Sequence, residues 1–174
     1  MAIEVLKNRF CFYGAWNRVE NTEGLEWFLK NVYPKLEKNY YFVVIGGGMP
    51  LFLQDKLKTY KNFMYLGFVD DPIKEIAKCQ ALIAPLHKGA GVKVKVIDSL
   101  SSGTCTIGTE VAFEGIEDNI ENRLFFYAET AKDFSLILNN WLPIDVIFKQ
   151  KAANEFFARY NTNHFTDLLE NKII

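Results

Sequence analysis

HKGAGVKVKVIDSLSSGTCTIG, residues 87–108, is the stretch whose reading decides the fold. An apolar run, ALIAPL (81–86), leads into it, and a second, Cys105-Thr106-Ile107, lies near its end. Gly89 and Gly91 allow the backbone a turn without a Cβ penalty. Lys93, Lys95 and Asp98 follow, and Ser101-Ser102-Gly103 closes the segment. Strand, glycine turn, basic segment with one acid and second strand make the layout of a cradle for a nucleoside diphosphate. In such a cradle amides at a helix N-terminus hold phosphate, lysines add charge and an acid holds ribose hydroxyls. The same residues also spell a half-buried strand, because Val92, Val94 and Val96 alternate with Lys93 and Lys95. On that reading the lysines are a solvated face and residues 88–91 a hairpin loop. The wider pattern favours a helix. Leu86 and Thr104 are far enough apart for the dozen or more residues that a crossover between parallel strands requires. Val92, Val96 and Leu100 fall at i, i+4 and i+8, with Val96, Ile97 and Leu100 as a buried stripe.

Composition sets the frame around this segment. A chain of 174 residues is one domain by size, able to bury a core without staples. With 24% charged and 49% apolar residues it is an ordinary globular chain. A net charge of −1 gives no electrostatic case for a nucleic-acid partner. Cys11, Cys79 and Cys105 sit in or beside apolar runs with no CxxC spacing and read as reduced core thiols of a cytosolic protein. His87 and His164 are the only histidines, too few for a histidine metal site or a catalytic triad. No signal-peptide pattern is visible, and no run of about eighteen apolar residues could span a bilayer. A cytoplasmic protein is expected.

Upstream, residues 9–15 (RFCFYGA) read as a strand ending in glycine, followed by a polar turn over 16–20. Asn21 or Thr22 is expected to cap a helix through Leu25, Phe28, Leu29, Val32 and Leu36, kinked or divided at Pro34. YYFVVI (40–45) is a continuous apolar strand, as expected when helices cover both sheet faces. Gly46-Gly47-Gly48-Met49-Pro50 is a loop into a helix over 51–59. Residues 63–66 form a third strand, and Asp71 with Pro72 starts a short helix. Beyond Thr109 the pattern gives a loop with a helical turn, a short strand over 124–127, helices over 131–141 and 144–160, and a last helix over 163–171. The expectation is a single α/β domain with a mainly parallel sheet of five to six strands and helices on both faces. Its ligand would lie at the C-terminal ends of the strands, where the loops after Gly14, Ile45, Leu66, Leu86 and Ile107 gather.

In this order the residues resemble the C-terminal, nucleotide-sugar-binding domain of GT-B-fold glycosyltransferases of family 4, the group 1 glycosyltransferases. Gly14, Asn21, Gly24, Trp27, Phe28 and Pro34 match the family's opening strand and helix. Ile45-Gly46-Gly47-Gly48 matches its strand ending in G-x-G, and Leu66-Gly67-Phe68-Val69-Asp70-Asp71 its G-F-V-x-D turn. Residues 85–100 match P-x-x-x-G-x-G-x-K-x-K-x-x-E-A, with Asp98 where glutamate is usual. Residues 103–109 and Glu114-Gly115-Ile116 match two later steps, so the resemblance covers roughly residues 9–130.

The resemblance implies a Rossmann-like half of a GT-B fold, with roles assigned residue by residue. Gly89, Ala90, Gly91 and Val92 would offer backbone amides to the donor diphosphate. Lys95 would pair with phosphate, with Lys93 and Arg18 as further candidates. Asp98 would hold the ribose hydroxyls, and Phe68 and Val69 would frame the base. No metal or other cofactor is implied, the nucleoside-diphosphate sugar being the substrate. Three positions depart from the family: Ala90 replaces an acid that contacts the transferred sugar, Ala15 an arginine and Glu23 a lysine. No catalytic carboxylate can be named.

Only residues 1–8 precede the first strand, so residues 1–174 are expected to be an isolated or excised donor-binding domain lacking its N-terminal acceptor domain, with C-terminal helices over about 143–171. The implied activity of the full protein is retaining transfer of a sugar to an acceptor hydroxyl in polysaccharide or glycan biosynthesis. Its implied partners are that acceptor domain and, through it, the inner face of the membrane. The alternative is a catalytically inactive nucleotide-binding or scaffold module of the same fold. A dinucleotide oxidoreductase is disfavoured, since no G-x-G-x-x-G follows the first strand. The acidic cluster expected of a flavodoxin-like receiver domain is also missing there.

Overall fold

The computed structural model describes residues 4–116 and 124–160. Its centre is a parallel sheet built from β1 (Arg9–Tyr13), β2 (Tyr41–Ile45), β3 (Phe63–Gly67), β4 (Ala81–Ala84), β5 (Cys105–Gly108) and β6 (Phe125–Tyr127). The spatial order is β3-β2-β1-β4-β5-β6, and every pairing is parallel. Chain order therefore runs outward in one direction from β1 and in the other from β4. Beside Cys11, paired with Leu82, the two directions part, and a crevice opens beyond the strand ends.

The helices are α1 (Val19–Asn31), α2 (Leu51–Lys58), α3 (Pro72–Ala77), α4 (Val94–Ser101), α5 (Ala131–Asn139) and α6 (Val146–Tyr160). Period-2 alternation along buried strands sends successive side chains into two separate cores. Phe10 and Phe12 of β1, with Phe42 of β2, pack on Phe28 of α1 and Phe134 of α5. The Phe12 and Phe28 rings meet edge-to-face at 5.0 Å. Cys11, Val43, Ile45 and Leu82 point the other way, onto Ile76 of α3 and Cys79. All three cysteines are buried and unpaired, so the thiols fill core space. α4 packs on α3 and α6.

Most element assignments follow the sequence pattern, and the decisive segment is a helix. Val96 and Leu100 are buried as its stripe requires, but the helix begins at Val94, not Val92. Val92 stays in the glycine loop and lies 52% exposed; a Cβ on Gly115 would sit 2.6 Å from its Cγ2. α1 begins earlier than expected, with Arg18 at the cap position and no side-chain cap. Asn21 and Thr22 consequently lie inside the first turns and are buried. Pro34 does divide the segment, into α1 and a 3₁₀ turn over Tyr33–Lys35. Asp71 caps α3 by accepting from the Lys74 amide at 2.9 Å, with Pro72 in the first turn. The expected last helix over 163–171 lies outside the described residues.

Candidate functional site

A cleft of about 650 Å³ opens at the C-terminal ends of β1, β2 and β4. Its walls come from the loop after β1 with the first turn of α1, the glycine loop after β2, the turn after β3, and the loop between β4 and α4. Local packing fixes these walls. Trp16, 2% exposed, donates its indole N–H to the Ile45 carbonyl at 2.9 Å, and its amide donates to Gly47 at 2.9 Å. Gly46 has φ +114°, and a Cβ there would fall 1.9 Å from the Gly14 carbonyl oxygen, so no other residue fits.

On the opposite side α1 lies directly against the end of β4. A Cβ on Gly24 would meet the Pro85 carbonyl oxygen at 2.5 Å. The contact continues outward through the Trp27–His87 ring pair at 4.5 Å and the Lys88–Glu23 ion pair at 2.7 Å. Glu23, which stands where the resembling family has lysine, thus anchors the loop that carries Gly89. The Thr109 hydroxyl donates to the Leu86 carbonyl and holds the start of that loop from β5's side.

The structure gathers most of the residues singled out from the sequence. Arg18, Phe68, Val69, Gly89, Ala90, Val92, Lys93 and Lys95 all border the cleft. Gly91 lies within the same exposed loop, with φ +76°. The backbone N–H groups from Gly89 to Lys95 find no hydrogen-bond partner among the described residues. The last of them belong to the first turn of α4, where the helix dipole adds positive potential. Phe68 is 79% exposed at the rim, whereas Val69 packs partly on the α3-side core. Arg18 is largely exposed and pairs with Glu20 at 3.7 Å. The Lys93 side chain is neither solvated nor free: only 11% exposed, it pairs with Glu114 at 3.2 Å and donates to the Gly91 carbonyl.

Lys95 has a different setting. Burial pushes its ammonium down to about 8; the Glu20 carboxylate opposes that shift, while Lys93 and Arg18 add to it. Its Nζ donates to Asn21 Oδ1. Asp98 follows at i+3 on the same helix face, half-buried, and does not line the open cleft. Its carboxylate has no hydrogen-bond or ion-pair partner among the described residues, and burial pushes its pKa up. Tyr13, at the end of β1, is raised first by its own burial and then by the Asp98 charge, which sets the two close together. Among the described residues no three His, Cys, Asp or Glu side chains cluster as metal ligands would.

Among the cleft residues not singled out as site residues from the sequence are Tyr13, Glu20 and Asn21. The sequence offers Asn21 or Thr22 as a helix cap, and Asn21 also as a match to the family's opening strand and helix, without assigning it a role at the site. The available signal was its position three residues before Gly24 at a helix start, which does not say which way the amide points.

The family model described as "Glycosyl transferases group 1" matches residues 7–142. No curated protein matches the chain by sequence. Among solved structures, HepE of Anabaena in complex with UDP and glucose superposes with a TM-score of 0.69 at 10% identity, over 95% of this chain and 48% of that one. A variant of TarM from S. aureus, in complex with fondaparinux, α-GlcNAc-glycerol and UDP, gives a TM-score of 0.70 at 16% identity, over 98% of this chain and 37% of that one. WaaG, a glycosyltransferase involved in lipopolysaccharide biosynthesis, gives 0.64 at 14% identity, over 92% and 44%. These likenesses show the fold, a Rossmann-like half of GT-B type. The chain spans less than half the length of each of the three proteins.

Proposed function

The chain belongs to the group 1 glycosyl transferases, and from that premise we propose that it forms the donor-binding half of a retaining, hexosyltransferase-type enzyme. The donor is a nucleoside-diphosphate sugar, and its sugar passes to an acceptor hydroxyl in polysaccharide or glycan assembly. The observation that supports this most is the cleft where β1 and β4 diverge, which joins amides to a half-buried ammonium, the amides unpaired and the ammonium without a carboxylate in hydrogen-bond contact among the described residues.

Those groups suit a diphosphate. The amides of Gly89, Ala90, Gly91 and Val92 receive its oxygens, and Lys95 lies against the phosphate that leaves. As the bond from the anomeric carbon to the phosphate oxygen breaks, negative charge grows on the diphosphate. Fixed donors in a site removed from water stabilise that charge most. The new bond to the acceptor oxygen forms on the same face of the sugar, and the acceptor hydroxyl's proton passes to the departing diphosphate. Lysine, amides and helix dipole serve where other sites use a metal, so no metal is required. Arg18 closes over the diphosphate from the rim, Phe68 and Val69 frame the base, and Asp98 accepts from the ribose hydroxyls. Lys93, held by Glu114, supplies field more than contact.

On this reading the acceptor site belongs to a domain N-terminal to this one in the full protein, and this half alone binds donor without transferring sugar. The full protein works in the cytoplasm, at the inner face of the membrane through that other domain. Ala90 favours a second reading, an inactive nucleotide-binding or scaffold module, because it gives the glycine loop a methyl and no carboxylate.

The test is titration of the chain by calorimetry or NMR with UDP, GDP, ADP and NAD, up to millimolar ligand. One nucleoside diphosphate should bind, and Lys95→Ala and Asp98→Ala should each weaken it. Preference for NAD, or binding untouched by both substitutions, refutes the assignment. Transfer by a preparation joined to its acceptor domain separates the enzyme from the scaffold.

A further inference from the structure

Lys95 is held by a neutral group although a carboxylate stands next to it in sequence. The ammonium donates to Asn21 Oδ1, whereas Glu20 pairs with Arg18. The other end of the amide is also engaged: Asn21 Nδ2 donates to the Ala15 carbonyl at 2.8 Å. One orientation of the carboxamide therefore satisfies both neighbours, and Asn21 is only 7% exposed. The room for this arrangement comes from a missing side chain. A Cβ on Gly14 would lie 2.7 Å from Asn21 Nδ2 and 3.3 Å from Lys95 Nζ.

We propose that Asn21 is a positioning residue for nucleoside-diphosphate binding, its carboxamide fixing Lys95 in the cleft while leaving the lysine's charge unneutralised for the diphosphate. The inference rests on the donor-site reading above. A carboxamide oxygen accepts from an ammonium without cancelling its charge. A carboxylate of the same size would form an ion pair that an arriving phosphate must break or share, and it could not donate to the Ala15 carbonyl. The remaining charges around the ammonium come from several elements. Glu20 lies on α1 and Arg18 at its cap, Lys93 precedes α4, Asp98 follows on α4, and Tyr13 closes β1. Arg18 and Glu20 pair with each other and Lys93 pairs with Glu114, so among the described residues Asn21 alone contacts Nζ by hydrogen bond.

The experiment compares the full chain with Asn21→Asp, Asn21→Ala and Lys95→Met, using UDP, GDP and ADP as probes by calorimetry between about pH 6 and pH 10. Amide spectra verify that each variant is folded. Wild-type affinity should fall as pH rises past about 8, where the amine loses the proton that attracts phosphate. Asn21→Asp should bind about tenfold more weakly near neutral pH, and its affinity should stay flat further into base, because the new carboxylate keeps the lysine protonated. Wild-type affinity and pH profile in Asn21→Asp, with binding lost in Lys95→Met, would overturn this inference and leave the donor site standing. No binding of any probe by the wild type would overturn both. Should Asn21→Asp not fold, ¹³Cε titration of Lys95 decides: Asn21→Ala should lower its pKa, and an unchanged value overturns the role.

Discussion

Replacing Lys95 by methionine should stabilise the fold while removing its diphosphate contact. Burial holds the ammonium at about 8 against an ordinary 10.5. That displacement corresponds to about 3 kcal/mol acting against the charged form in the folded state. The sign follows from proton counts. Below about 8 the lysine is protonated in folded and unfolded chains alike, so the folded state carries the whole penalty. Between about 8 and 10.5 only the unfolded chain keeps the proton and the penalty fades; above 10.5 it is gone. Methionine fills the volume of the lysine stem without a charge. It also strips Asn21 Oδ1 of its donor, which costs about 1–2 kcal/mol for a buried acceptor. The net gain near neutral pH is about 1–2 kcal/mol, a rise in Tm of about 2–8 °C for a chain of this size. Thermal unfolding of the two proteins, followed side by side by circular dichroism across pH, measures it. The advantage of Lys95→Met should be largest below pH 8, shrink above it and be reversed by 10.5, where little but the lost hydrogen bond remains. A variant less stable at neutral pH, or a difference that does not change with pH, refutes the reasoning.

Gly24→Ala sets two effects against each other. Alanine gains about 1 kcal/mol over glycine inside a helix, but its Cβ would meet the Pro85 carbonyl oxygen at 2.5 Å and drive α1 off β4. Overpacking of this kind costs about 1–3 kcal/mol. A lower urea midpoint and weaker nucleotide binding are expected, since Asn21 moves with α1; a higher midpoint would show that the seam yields. Asp98→Asn should also stabilise. Burial raises the Asp98 pKa in the folded state, so the penalty is present at neutral pH and vanishes in acid below the ordinary carboxylate range. Urea unfolding at neutral pH should favour the asparagine variant and converge with wild type in acid, while ribose contact is lost. Equal stability at every pH would show that the carboxylate is better solvated than its setting implies.

The sheet was legible because its inner strands are buried on both faces and spell unbroken apolar runs. YYFVVI can hardly be anything but an inner strand, and 81–86 reads the same way. Ambiguity lay in residues 92–96, where valine–lysine alternation suits a strand and a helix's first turn equally. Tertiary packing decided it, since Val96 and Leu100 have a core to fill and Val92 does not. Turn chemistry was legible at Asp71-Pro72 and missed at α1, where Arg18 takes the cap position without supplying a cap. That miss is informative. Asn21 makes a sound N-cap by propensity, yet it sits buried one turn further in, spent on the Ala15 carbonyl and the Lys95 ammonium.

Local preference is overridden there because two segments far apart in sequence must meet across the place where β1 and β4 diverge. The glycines show how closely. Gly14 makes room for the amide, Gly24 for the Pro85 carbonyl, and Gly46 for the Gly14 carbonyl. Each is a contact between backbone and a distant residue, so none has a signature in local sequence beyond the glycine itself. Lys95 and Asp98, one turn apart on α4, could have neutralised each other as an i,i+3 pair, yet no ion pair joins them. Keeping both charges half-buried and apart destabilises the fold. Two groups of opposite sign, each held short of an ionic partner beside unpaired amides, are what a ligand with phosphates at one end and hydroxyls at the other would require.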